Sequence, residues 1–189
     1  METGCFRFFR DIWRYDMWKL FYPDHYVSST FTIRYRELYE KGYRGLLFDI
    51  DNTLVPHNAP ADERAVMFFQ KLRSIGFKTM IVSNNKEPRV KSFCDAVGAG
   101  YIFKANKPLK SGYLKAMAVM ETAPHNTVFI GDQIFTDTLG AKALRILTYL
   151  VMPIDPREEI QIVLKRIPER WILNEFLKTH CLEYETEEI

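Results

Sequence analysis

Between residues 45 and 151, short apolar runs alternate with stretches of helical periodicity, and this alternation constrains the fold more than any other feature. The apolar runs are short and end in glycine or polar residues, which is typical of strands buried on both faces. The predicted strands span residues 45–50, 78–83, 99–103, 127–131 and 146–151. The predicted helices span residues 61–75, 87–97, 110–121 and 136–145. This order predicts an α/β fold of three layers, with a five-stranded parallel sheet between helices.

Two end segments are predicted to lie outside this core. Residues 1–30 are rich in aromatic and basic side chains. Residues 156–180 predict two helical pieces divided by Pro168, because proline interrupts a helix. An acidic tail follows.

Composition excludes several classes of protein. The net charge of +2 and the pI near 8.4 are too mild for a nucleic-acid binder, which usually carries a concentrated basic stripe. The chain has three cysteines, Cys5, Cys94 and Cys181, and no CxxC pair. We therefore expect neither a disulfide framework nor a zinc site, and we expect the protein to lie in a reducing compartment. We find no signal peptide and no apolar run of the about 18–20 residues that span a bilayer, so we expect a cytoplasmic protein.

Polar side chains follow four of the predicted strands where each strand ends. Ligands of an open parallel sheet bind beyond the carboxyl ends of its strands. We therefore expect these side chains to meet at one edge of the sheet. They are Asp49, Asp51, Asn52 and Thr53 after the first strand, Ser83, Asn84 and Asn85 after the second, Lys107 after the third, and Asp132 and Asp137 after the fourth.

Carboxylates in this arrangement indicate phosphoryl chemistry with a metal ion. A phosphoryl group in transfer carries charge on three oxygens, and bare carboxylates would repel it. Magnesium binds oxygen ligands and needs only one or two carboxylates besides the substrate phosphate. Asp49 and Asp132 are suitable ligands, and Asp137 could hold the waters of the metal.

The same residues supply a nucleophile and an acid/base. Asp49 can attack phosphorus to form an aspartyl phosphate. Asp51 would protonate the leaving alkoxide and then accept a proton from water. Both can serve only if the chain bends after Asp49, because alternate residues of a strand face opposite sides. Ser83 would bind a phosphoryl oxygen, and Lys107 would neutralise its charge; Lys104 and Lys110 are its rivals, but Pro108 fixes the backbone beside Lys107.

These motifs resemble those of the haloacid dehalogenase (HAD) superfamily. The sequence DIDNTLV at residues 49–55 is similar to its first motif, Ser83 to the second, Lys107 to the third, and GDQIFTD at residues 131–137 to the fourth. The resemblance implies a HAD-type, Rossmann-like hydrolase fold with Mg²⁺ as cofactor. It also implies metal binding by the backbone carbonyl of Asp51 and phosphate binding by Thr53, Ser83, Asn84 and Lys107.

A finer resemblance is to YqeG-type phosphatases of HAD subclass IIIA. It rests on FDIDNTLV at residues 48–55, IVSNN at 81–85, KANKPL at 104–109 and GDQIFTDT at 131–138, and on YPDHYVSSTFTI at 22–33. Relatives of this group in yeast mitochondria and photosynthetic organisms dephosphorylate phosphatidylglycerophosphate. The resemblance therefore implies a phosphomonoester hydrolase with this lipid as the best single substrate.

The intervals between the motifs are too short for an inserted cap domain, so we expect an open, capless site. Open sites suit large or membrane-presented substrates. We expect an amphipathic extension over residues 1–20, a HAD-like hydrolase domain over 21–180 and an acidic tail over 181–189. Residues 6–22 are cationic and aromatic, and they either contact a membrane surface or pack on the domain or a partner.

Two other functions remain open at this point. The same residues would also serve a phosphatase of a phosphoprotein or a nucleotide. A HAD-fold module that binds a partner without turnover is the third alternative, although the intact set of motifs argues against it.

Overall fold

Six strands form one parallel sheet in the computed structural model, which describes residues 19–155 and 160–182. The strands are β1 (His25–Val27), β2 (Gly45–Phe48), β3 (Lys78–Val82), β4 (Gly100–Ile102), β5 (Thr127–Gly131) and β6 (Leu147–Val151). Their order across the sheet is β1-β6-β5-β2-β3-β4, and every pair is parallel. The central strand β2 is buried along its whole length, so the site at its end stands on the most enclosed part of the sheet.

Helices cover both faces of the sheet. They are α1 (Tyr35–Glu40), α2 (Glu63–Ile75), α3 (Glu87–Val97), α4 (Lys110–Met120), α5 (Leu139–Lys142) and α6 (Ile160–Leu177). Side chains of β2 alternate between the faces: Leu46 and Phe48 join the cluster under α1, α2 and α3, whereas Leu47 joins the cluster under α4 and α5. The predicted α/β fold of three layers is confirmed.

The prediction of five strands is wrong, because β1 adds a sixth at the edge beside β6. Residues 25–27 were expected outside the core, yet Tyr26 and Val27 are buried. Asp24 fixes this edge: its Oδ2 accepts hydrogen bonds from the backbone N and the hydroxyl of Thr148, both at 2.9 Å. Three residues are too few for a periodic signal, so only pairing with a distant strand defines β1.

Two helix predictions also require correction. The expected helix over residues 136–145 is a π-helical turn, Ile134–Thr138, followed by the single turn of α5. Residues 160–177 form one helix through Pro168 rather than two pieces. Pro168 lies on an exposed surface, where water can bond the carbonyl that proline leaves without a donor.

Residues 51–107, all of them described, contain no inserted domain. Between Asp51 and Ser83, the chain forms a short loop, α2 and β3. Between Ser83 and Lys107, it forms α3 and β4. Asp62 begins α2 by accepting a hydrogen bond from the backbone N of Ala65, and Gly76 ends it in a left-handed conformation. No cap domain is therefore inserted within these residues, as the sequence predicts.

The predicted terminal segments lie largely outside the described residues. Of residues 6–22, only 19–22 are described, and of the tail, only 181 and 182. Phe21 and Tyr22 pack edge-to-face on Phe135 and Phe176, with ring centroids 5.6 and 5.7 Å apart. Across the described ranges, every helix is either too short or too polar to cross a bilayer.

Candidate active site

The chain turns sharply directly after β2, as the pair of aspartates requires. Asp49 continues the strand by one residue, since its backbone N donates to the carbonyl of Ile130 at 3.0 Å. Asn52 then takes a left-handed conformation, with φ of 61°. The backbone N groups of Thr53 and Leu54 both bond the carbonyl of Ile50. This turn frees the Asp51 side chain from the alternation of the strand.

Three aspartates from two strand ends meet in a buried cluster. Asp49, Asp132 and Asp137 are 8%, 2% and 1% exposed. Each offers a carboxylate oxygen, and the three oxygens lie within 4.8 Å of one another. Buried carboxylates this close repel one another unless a cation lies among them. The trio could therefore hold a divalent metal ion.

Lys107 brings a buried ammonium into the same cluster. Its Nζ lies 2.9 Å from Oδ1 of Asp49 and 2.7 Å from Oδ1 of Asp137. Burial alone would lower the pKa of Lys107, but the charges of Asp137 and Asp49 outweigh it and hold that pKa above its ordinary value. Lys107 therefore stays charged, whereas Lys104 and Lys110 are exposed residues outside the cluster.

Burial changes the pKa of Asp49 in the opposite direction from that of Lys107, because it favours the neutral form of each group. Desolvation raises the pKa of Asp49 to about 6, and the charges of Asp137 and Asp51 add to the rise, while Lys107 opposes it. The carboxylate is thus ionised at neutral pH and takes up a proton in mildly acidic solution.

Close packing of the fourth motif holds Asp137 in the cluster. A Cβ at Gly131 would clash with Oδ2 of the Asp137 carboxylate, so any larger residue there would displace this side chain. The same Oδ2 accepts a hydrogen bond from the backbone N of Gln133 at 3.1 Å. The hydroxyl of Tyr113 donates a hydrogen bond to the carbonyl of Thr136 at 2.7 Å, within the π-helical turn that carries Asp137. The position of Asp137 is therefore fixed before any ligand binds.

Asp51 lies outside the metal trio and has partners of its own. Its Oδ1 accepts hydrogen bonds from the backbone N of Asn58 at 2.8 Å and from Nη2 of Arg89 at 3.0 Å. Its Oδ2 accepts one from Nδ2 of Asn85 at 3.3 Å. The two aspartates of the first motif thus have separate cations, Lys107 for Asp49 and Arg89 for Asp51.

All four predicted phosphate-binding side chains contact protein groups, and Lys107 does so through Asp49 and Asp137. The hydroxyl of Thr53 donates to Oδ1 of Asp132 at 3.2 Å. Both polar ends of the Asn84 amide bond the backbone of Lys107, at 2.7 and 3.1 Å. Ser83 is buried, and its Oγ accepts a hydrogen bond from the backbone N of Asn85. Phosphate binding by these residues, and metal binding by the carbonyl of Asp51, stay predictions.

Sequence reasoning missed two residues that support the site. Arg89 contacts Asp51, and Tyr113 bonds the turn that carries Asp137. Asn85, which also contacts Asp51, was among the polar residues expected at this edge, although no role was assigned to it. Arg89 lies on a helix and Tyr113 on another, and neither follows a strand, so the criterion of strand ends could not find them.

Comparison with known proteins agrees with this geometry. Residues 57–145 match the family model of the haloacid dehalogenase-like hydrolases. The chain is 36% identical over 168 residues to the "Probable phosphatase YqeG" of Bacillus subtilis (strain 168), which covers 88% of this chain and 98% of that protein.

Two solved structures show more distant similarity. A cobalt-bound deoxy-D-mannose-octulosonate 8-phosphate phosphatase from Haemophilus influenzae is 13% identical, with a TM-score of 0.48 over 74% of this chain and 92% of that chain. A putative HAD superfamily (subfamily III A) hydrolase from Legionella pneumophila is 14% identical, with a TM-score of 0.46 over 76% and 95%.

The extent of the match to the Bacillus protein, together with the family model and the aspartates and lysine gathered at one sheet edge, identifies the family. The chain belongs to the haloacid dehalogenase superfamily of hydrolases, as a phosphatase of its YqeG type.

Proposed function

We propose that this protein is a Mg²⁺-dependent phosphomonoester hydrolase that works through an aspartyl phosphate on Asp49, with phosphatidylglycerophosphate as its substrate. The observation that carries the proposal is the ion pair between Lys107 and Asp49 within the buried trio of aspartates. It holds a carboxylate ionised at the carboxyl end of the central strand, where a phosphoryl group can approach from the open edge.

The donor atoms of the site fit a divalent cation. Three buried carboxylates offer oxygens that lie within 4.8 Å of one another. Oxygen donors are those that Mg²⁺ prefers. Asp49 and Asp132 would bind the ion directly, and Asp137, already bonded to Lys107 and Gln133, would bond its waters. When bound, the ion neutralises the oxygens of the transferring phosphoryl group.

The side chains of the first motif carry out the two steps. An oxygen of Asp49 bonds to phosphorus as the bond from phosphorus to the alcohol oxygen breaks, and Asp51 gives that oxygen a proton. A water then attacks the phosphorus and passes a proton to Asp51, while the bond from Asp49 to phosphorus breaks and releases phosphate. Lys107 balances the charge beside Asp49 in both steps.

A cleft next to the metal trio supports an apolar substrate. It holds about 450 Å³ and extends from Asp132 between the end of β6 and α6. Leu150, Met152 and Leu173 supply apolar walls, and the charged residues Glu169 and Arg170 lie beside them. A phospholipid that ends in a phosphomonoester combines these features, because its acyl chains are apolar and its phosphodiester is anionic.

A substrate panel tests the proposal. Phosphate release would be measured for phosphatidylglycerophosphate in micelles, a phosphopeptide, a nucleoside monophosphate and 4-nitrophenyl phosphate, each with Mg²⁺ and with EDTA. We expect EDTA to stop hydrolysis and kcat/KM to be at least about tenfold higher for the lipid. A higher value for the peptide or the nucleotide would replace the lipid as substrate, and no release from any compound would end the proposal.

Metal binding should weaken in acid. Because the pKa of Asp49 is about 6, roughly nine-tenths of this carboxyl is protonated at pH 5 and almost none at pH 8. A proton must therefore leave before the metal binds, and the Kd for Mg²⁺ should be about tenfold higher at pH 5 than at pH 8. Calorimetric titration at both pH values measures it, with Asp49→Asn as the variant in which this dependence disappears. Equal Kd values for the unmodified protein would contradict the assignment.

A further inference from the structure

Arg89 is placed against Asp51 by the helix that follows the second motif. It occupies the first turn of α3, two residues after Glu87. Its Nη2 lies 3.0 Å from Oδ1 of Asp51, and the two side chains are only 16% and 14% exposed. A pair this shielded is screened less by solvent than a surface ion pair.

The first turn of a helix is an unfavourable place for a positive charge. The amino end of the helix dipole is itself positive and favours acidic residues, such as Glu87 in the same turn. Arg89 therefore does not stabilise α3 by charge, and its position is explained by the carboxylate that it contacts. Its guanidinium carbon also lies 5.8 Å from the ring centre of Phe93, one turn further along, which limits its movement.

The partners of Asp51 divide between two segments. Asn58 belongs to the loop after the first motif, whereas Asn85 and Arg89 belong to the second motif and the helix behind it. Among these donors only Arg89 carries a charge. The Nε of Arg89 is buried and has no hydrogen-bond partner within the described ranges, whereas its Nη2 donates to Asp51.

We propose that Arg89 is a positioning residue, which holds the Asp51 carboxylate in the orientation for proton exchange with the leaving group and the attacking water. The inference rests on the proposed function. Without Arg89, only two neutral donors of those described, at 2.8 and 3.3 Å, would hold the Asp51 carboxylate.

The test is a set of variants measured with 4-nitrophenyl phosphate and with phenyl phosphate, whose leaving group is poorer. Arg89→Met should lower kcat about 10- to 100-fold, change KM less than about threefold, and affect phenyl phosphate more, because a poor leaving group depends more on the acid. Arg89→Lys, which keeps the charge, should restore kcat to within about fivefold. Lys91→Met is the matched control, because it removes a cation with an exposed aspartate partner from the same helix.

A double-mutant cycle separates positioning from general damage. In an Asp51→Asn background, Arg89→Met should change kcat less than about twofold, because the group on which it acts is already lost. Equal losses in both backgrounds, a change in KM alone, or an equal loss in Lys91→Met would overturn the inference. If Arg89→Met does not fold by circular dichroism, Arg89→Gln takes its place with the same expectations. If Asp49→Asn is inactive while the cycle shows no coupling, only this inference fails; activity of Asp49→Asn would remove the proposed function instead.

Discussion

Replacing Asp49 by asparagine is expected to reduce phosphate release by about 10⁴-fold or more, because an amide cannot form the aspartyl phosphate. Asparagine matches the shape of aspartate, so the fold should remain. Lys107 keeps its bond to Asp137. Burial raises the pKa of Asp49 to about 6, so its charge is a cost to the folded state at neutral pH, and the amide removes that cost.

Release of phosphate from 4-nitrophenyl phosphate and thermal unfolding would be measured side by side. Asp95→Asn is the matched control, since Asp95 is an exposed aspartate on α3 that pairs with Lys91. It should keep full activity. Equal turnover by Asp49→Asn and the unmodified protein would show that the nucleophile lies elsewhere.

Replacing Lys107 by methionine is expected to have the largest effect on stability. The side chain of Lys107 is 2% exposed, and its loss leaves Asp49 and Asp137 without their shared cation. Breaking a buried ion pair on one side costs about 3–5 kcal/mol in the free energy of unfolding. Activity should fall with it, because the charge beside the nucleophile is gone.

The loss should depend on pH in a defined direction. The charge of Lys107 lowers the pKa of Asp49, so in Lys107→Met that pKa rises further above its value in the unfolded chain. A raised pKa in the folded state means that stability is lost as pH rises through it, so the deficit of Lys107→Met should be larger at pH 8 than at pH 5. Urea unfolding of metal-free protein at both pH values measures this. Lys110→Met, at the exposed start of α4, should match the unmodified protein; an equal deficit in both variants would contradict the role of Lys107.

The alternation of strands and helices made much of this fold predictable. A parallel sheet brings its carboxyl ends to one edge, so Asp49, Lys107 and Asp132 could be placed together from residue types alone. The edge strand β1 could not, because three residues carry no periodicity and are ordered by Thr148, more than 120 residues away. Local pattern thus identified the buried strands and missed the one that depends on a distant partner.

The details of the site were less predictable for a related reason. Side chains that follow a strand are visible in the sequence, but their hydrogen-bond partners are not. Asn84 has the sequence position of a phosphate ligand, yet its amide bonds the backbone of Lys107. Arg89 follows no strand, and only the orientation of α3 brings it to Asp51.

The π-helical turn that carries Asp137 has a consequence for how the fourth motif can change. The backbone N of Thr138 donates a hydrogen bond to the carbonyl of Gln133, five residues earlier in the chain. The turn therefore contains one residue more than an α-helical turn. Removing that residue would restore ordinary winding and rotate the following carboxylate by about 100° about the axis, away from the ammonium. The number of residues between Asp132 and Asp137 therefore determines where the Asp137 carboxylate lies. A one-residue deletion here would separate Asp137 from Lys107, which a point substitution would not do.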